Sequence, residues 1–167
     1  MRYGIRILAI QVFMLGCSQN QENLENNSYL ADTIGLEECQ SCGMVVRDQP
    51  APRGQVVHRD GTRAFFCSIS DMVLYMETPS PHGKIQQSYV EVMDQAANPK
   101  NLDNSELEWA SAEMAGYVLG FPRKGIMGEP VLVYKNNQIA VEVAETHDGE
   151  AVNLSQLRQK IIQDQGS

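Results

Sequence analysis

Apolar residues recur along QVVHRDGTRAFF at the spacing of two short strands, interrupted by Asp60-Gly61. Such a break predicts a β-hairpin, because glycine supplies the positive φ that tight hairpin turns demand. The period then changes. Ile69, Met72, Val73 and Met76 fall on one face at helical spacing, behind Ser68 and Asp71, which make a capping-box-like start. Pro79 and Pro81 end that helix. KIQQSYVEVMD returns to a strand pattern through Tyr89, Val90 and Val92. The predicted order is β, β, α, β.

DQAANPKNLDN is rich in turn formers and marks a boundary. Beyond it, MAGYVLG and PVLVY read as strands, and NNQIAVEVAETHDG as a helix capped by Asn136 or Asn137 with Gly149 just past its end. EAVNL reads as a last strand, and a helix from Ser155 to Gln163 closes the chain. The second half repeats the element order of the first with hardly any letters in common. The expectation is therefore an α/β fold, more narrowly α+β, of two pseudo-repeated ββαβ halves, residues 34–94 and 95–167, in one compact unit.

The first residues belong to neither half. Arg2 and Arg6 precede a mostly apolar run, ILAIQVFMLG, which is shorter than the roughly 20 residues a membrane-spanning helix needs. Residues 1–16 read as a signal peptide. Gly16 stands directly before Cys17 with Leu15 and Met14 ahead of it, a lipobox-like order in which Cys17 becomes the acylated first residue. Lipidation at Cys17 would tether the chain to the bilayer rather than thread it. Residues 17–33, SQNQENLENNSYLADT after the cysteine, are polar and aperiodic, as a flexible tether should be. Ser18 favours the outer membrane over the inner, with the domain in the periplasm.

Composition narrows the partners. The 167 residues are 43% hydrophobic and 20% charged, enough for a folded core, and the formal charge is −8. Losing Arg2 and Arg6 with the leader makes the mature chain more acidic still. An acidic surface with no basic run or aromatic platform excludes nucleic acid as a partner.

The candidate chemistry lies in sulfur. CQSCGMVV sets Cys39, Cys42 and Met44 within six residues. If the backbone there is extended, Cys42 and Met44 project from one face and aim a thiolate and a thioether at one point, a donor pair that selects Cu(I). The competing reading makes Met44 ordinary core. In PRKGIMGEP, Met127 sits between Gly125 and Gly128 in a loop, where its sulfur can be presented outward or can plug a gap between the halves. With Cys17 acylated, Cys39, Cys42 and Cys67 remain, and an odd number of thiols in an oxidising compartment suggests a metal. Cys39 reads as a fourth donor, a redox partner of Cys42 or a spare thiol. Cys67, after the aromatic AFF, reads as a buried inert thiol. His58 lies nearest in sequence to the sulfur pair and is a secondary ligand candidate; His82 and His147 read as structural or solvent-facing.

CGMVVRDQPAPRGQ, AFFCSISDMVLYM, SYVEVMD, Trp109 and AGYVLGFPRKGIMGEP together resemble the NosL family, lipoproteins that act as copper chaperones in assembling the copper centres of nitrous oxide reductase. The resemblance implies a periplasmic, lipid-anchored Cu(I) carrier with no catalytic activity of its own. Its ligands would be Cys42, Met44 and Met127, with Cys39 and His58 as lesser candidates. Its partners would be nitrous oxide reductase and an ABC-type maturation complex. Thioethers do not titrate and one thiolate supplies the charge, so such a site binds firmly yet leaves an edge for a recipient to attack. The alternative is a periplasmic CxxC thiol-disulfide oxidoreductase using Cys39 and Cys42, but that chemistry prefers a helix N-terminus and the run GMVV is strand-like. A structural zinc site would need a second CxxC or HxxxH, which the sequence lacks.

Overall fold

The computed structural model describes residues 30–100, 103–121 and 130–165. The hairpin comes first: β1 (Gly54–His58) and β2 (Arg63–Phe66) turn through Gly61 at φ +85°, while Asp60 Oδ1 accepts the Thr62 amide at 2.9 Å. Helix α1 (Ile69–Met76) begins at Ser68, whose hydroxyl accepts the Asp71 amide at 3.1 Å, and buries Ile69, Met72 and Val73. Strand β3 (Ile85–Val92) follows, then β4 (Glu108–Ser111). The later elements are β5 (Gly116–Leu119), β6 (Leu132–Tyr134), α2 (Asn137–His147), β7 (Glu150–Val152) and α3 (Leu154–Gln165). Asn136 caps α2 by accepting the Ile139 amide at 3.0 Å.

The strands form two antiparallel sheets, ordered β2-β1-β3-β4 and β6-β5-β7. In each sheet the first strand of a ββαβ run is central, flanked by the second and third. Strand β4, which pairs Ala110 with Val90 and Trp109 with Glu91, lies where no strand was expected. Its four residues at a sheet edge are too short and too polar to carry a period-two signal. Gly116 lets α2 close on β5, since a Cβ there would stand 2.4 Å from the Asn136 carbonyl oxygen.

The two sheets share a core. The Met93 amide donates to the Val133 carbonyl at 2.8 Å, joining the end of β3 to β6, and α3 packs against α1, β5 and β7. Val56, Phe66 and Met72 thus belong to the same buried cluster as Tyr117, Val133 and Leu157. A smaller cluster of Val118, Leu132, Tyr134 and Ala140 fills the space between the second sheet and α2.

One buried ion pair locks the first sheet to the segments around it. Arg53 and Glu91 are 1% and 0% exposed, and their bidentate contacts measure 2.7 and 2.6 Å. The remaining guanidinium hydrogens are not wasted: they reach the carbonyls of Arg47 at 3.1 Å and Ser105 at 2.9 Å. Arg53 therefore ties the chain just after the cysteine loop to the approach to β4. A buried pair stripped of one partner leaves an uncompensated charge, so Arg53→Met should destabilise the fold by about 3–5 kcal/mol. Adding Glu91→Met should recover only part of that loss, because the backbone carbonyls stay orphaned. Urea unfolding of the metal-free chain checks both, and a loss under about 1 kcal/mol for the single variant contradicts the assignment.

Candidate metal centre

The cysteine loop is closed by its own backbone. Cys39 donates its amide to the Met44 carbonyl at 2.8 Å, and Gly43 returns one to the Cys39 carbonyl at 2.8 Å. Gly43 takes φ +73°, a conformation that side chains resist, so the chain turns sharply between the second cysteine and the methionine. The extended backbone expected for Cys42 to Met44 is therefore a turn, and the same-face argument for that pair falls with it. Glu38 and Val45 bridge below the turn, and Val46–Asp48 coil into a short 3₁₀ helix held by Arg53.

A second contact brings in the third thiol. Cys39 bridges Phe65 in parallel, with the Gln40 amide donating to the Phe65 carbonyl at 2.9 Å. This seats the loop on the outer edge of β2, two residues before Cys67, which follows the end of the strand. The sulfurs of Cys39, Cys42 and Cys67 consequently lie within 4.8 Å of one another, with Cys42 Sγ 3.5 Å from Cys67 Sγ. All three are free thiols. Cys39 and Cys67 are buried, at 3% and 4% exposure, whereas Cys42 is only half-buried. The group thus has a closed side and an open one.

Electrostatics divide the two buried thiols. Burial raises the Cys39 thiol, but the backbone amides of Cys67, Cys42 and Ser41 and the Cys42 thiol outweigh it, and the net direction is down. The Cys67 amide approaches Cys39 Sγ at 3.5 Å. Cys67 moves the other way, pushed up first by burial and then by its hydrogen bonds to the other two thiols and their charge. The amides thus favour the thiolate form at Cys39, while burial favours the neutral thiol at Cys67. Three soft donors so placed suit a soft ion such as Cu(I), and zinc less well, since zinc sites close with a fourth ligand. Within that distance no histidine or carboxylate joins the three among the described residues.

The sequence pattern of the NosL family matches residues 33–162. The chain belongs to the NosL family. The copper-binding lipoprotein NosL of Stutzerimonas stutzeri is 28% identical over 154 residues, covering 92% of this chain and 78% of that protein. Its counterpart from Achromobacter cycloclastes is 26% identical over 165 residues, 97% of this chain and 84% of that one. The crystal structure of the copper chaperone NosL from Shewanella denitrificans aligns with a TM-score of 0.61 at 24% identity, over 75% of this chain and 92% of that chain, a likeness of fold.

In this NosL chain the residues singled out from sequence part company. Cys42 and Cys39 meet. Met44 is half-buried and packs against the core cluster that contains Cys39 and Cys67. Cys17 and Met127 lie outside the described residues. His58 is buried elsewhere, with Nδ1 3.1 Å from the Gly83 carbonyl and Nε2 2.9 Å from the Tyr75 hydroxyl, so both ring nitrogens are engaged. Cys67, read as a buried thiol, is buried, and it faces two thiols rather than only apolar neighbours. The odd count of thiols was the one sequence signal that pointed to it.

The thiols set an alkaline limit on the metal-free fold. Cys67, raised above the ordinary 9.0, stabilises the fold below that pH and loses its contribution as pH climbs towards its folded value. Cys39, lowered, contributes fully above 9.0 and less as pH falls through its folded value. Tyr134, pushed up to about 12 by burial, adds to the alkaline loss. Stability measured by denaturant from about pH 8 to about pH 10.5 should therefore decline, and less steeply in Cys67→Ala. An identical slope in the variant contradicts the role given to Cys67.

Proposed function

We propose that the chain is a copper carrier of the cell envelope that binds Cu(I) through sulfur and delivers it for maturation of the copper centres of nitrous oxide reductase. The observation that carries this reading is the convergence of three thiols within 4.8 Å, one of them open to solvent. A soft, low-coordinate site with one accessible edge binds firmly and still allows stepwise ligand exchange with a recipient. The relatives named as copper-binding lipoproteins support the cargo and the anchor. Cys17 is the proposed acylation site, with the domain in the periplasm and the outer membrane as destination. Met44 and Met127 are proposed as thioether donors on the exchange side. The recipients are the reductase and its ABC-type maturation complex. Among the described residues no helix is long and apolar enough to cross a membrane, which suits a lipid tether.

The chain is proposed to have no catalytic activity. The alternative, a thiol-disulfide oxidoreductase, is disfavoured because Cys39 and Cys42 sit in a bridge and turn rather than at the start of an α-helix. Anaerobic titration against a chromophoric Cu(I) chelator should show one Cu(I) per reduced chain, with affinity lowered at least about tenfold in Cys42→Ser and in Met127→Ala. The loaded chain should restore copper to metal-free nitrous oxide reductase. Wild-type affinity in Cys42→Ser would refute the carrier, and insulin reduction dependent on Cys39 would favour the oxidoreductase.

A further inference from the structure

We propose that Cys42 and Cys67 form a reversible disulfide when no copper is bound, so that the redox state of this one pair decides whether the chain can take up its cargo. The inference rests on the copper-carrier reading and adds its regulation.

Contact is the first argument. Cys42 Sγ lies 3.5 Å from Cys67 Sγ, both residues are free thiols, and the loop that carries one is already hydrogen-bonded to the strand that delivers the other, through the Phe65 carbonyl. Two groups held in contact react within one molecule, which removes most of the entropic barrier to their pairing. Access is the second argument. Cys39 and Cys67 are 3% and 4% exposed, whereas Cys42 is half-buried, so an external disulfide reaches Cys42 first. A buried neighbour must then complete the exchange.

Cys39 is the rival partner, and chain topology favours Cys67 over it. Cys42 and Cys67 stand 25 residues apart, while Cys39 and Cys42 belong to one turn that the Gly43 amide already closes onto the Cys39 carbonyl. The longer closed loop takes more freedom from the unfolded chain, so at equilibrium the link to Cys67 is the more stable one. Cys39 keeps its place beside the Cys67 amide at 3.5 Å and stays a thiol.

The exchange takes two steps, with an external alkyl disulfide as oxidant. Cys42, as thiolate, attacks one sulfur of that disulfide; the external S–S bond breaks, a mixed disulfide forms on Cys42, and one thiolate leaves. Cys67 then gives up its proton and attacks Cys42 Sγ, which releases the second thiolate. Two protein thiols are oxidised and one disulfide is reduced to two thiols, so the chain is the substrate of this exchange and not its catalyst. The oxidised pair leaves no thiolate at the open side of the site, and uptake of Cu(I) waits for a reductant.

The full chain, reduced and metal-free, is equilibrated anaerobically with glutathione at a series of disulfide-to-thiol ratios, quenched in acid and alkylated, and peptide mass spectrometry with fragmentation assigns each sulfur. A species lighter by two hydrogens is expected, with Cys42 linked to Cys67 and Cys39 alkylated. Three alkylated thiols at every ratio, a glutathione adduct left on Cys42, or a link between Cys39 and Cys42 overturns the proposal. Competition with a chromophoric Cu(I) chelator is then run on the reduced, oxidised and re-reduced chain. The oxidised chain should bind at least about tenfold more weakly, with recovery on reduction. Unchanged affinity on oxidation overturns the switch and leaves the carrier standing. Absence of Cu(I) binding by the reduced chain overturns the carrier reading, and the switch with it. Both arms use the wild-type chain, so no substitution that fails to fold can blunt the test.

Discussion

Gln40 donates its amide to the carbonyl of Phe65 at 2.9 Å, and the thiol group depends on that contact. Strand β2 is the edge of its sheet, and sheet edges must be covered or blunted. Here the cover is the cysteine loop. Because the loop lies against the end of β2, the residue that leaves the strand next, Cys67, meets the two cysteines the loop carries. A routine demand of sheet architecture has thereby become a way of assembling three sulfurs that lie up to 28 residues apart in sequence.

The loop holds its shape because both ends are fixed. Gly43 provides the turn at the tip, and the Glu38 and Val45 bridge closes the base. Beyond the base, Arg53 takes the Arg47 carbonyl while remaining paired with Glu91 inside the first sheet. The ion pair is thus less a stability device than a clamp that registers the metal loop on the scaffold. A pre-positioned donor set loses little conformational entropy on binding, and donors on rigid backbone keep their geometry while the ion is exchanged.

Much of this was legible in the sequence, and what was not has a physical reason. Asp60-Gly61, the Ser68 cap and the Asn136 cap are local signals, and each marks its element because the hydrogen bonds involved join residues two or three apart. Strand β4 escaped because an edge strand of four residues has no face to alternate. Cys67 escaped for a different reason: its partners are set by a cross-chain bridge, and no periodicity reports which loop covers which edge. The same-face argument for Cys42 and Met44 assumed an extended backbone, which one glycine at positive φ replaces with a turn. His58 looked close to the sulfurs along the chain, yet the hairpin carries it towards Tyr75 and Gly83.

The central claim is that sulfur alone surrounds the ion. X-ray absorption at the copper edge of the full chain, loaded with one Cu(I) under anaerobic conditions, tests it most directly. The account predicts a first shell made only of sulfur at about the metal–thiolate distance of 2.3 Å. A first shell in which nitrogen or oxygen stands in place of the thiols would contradict it.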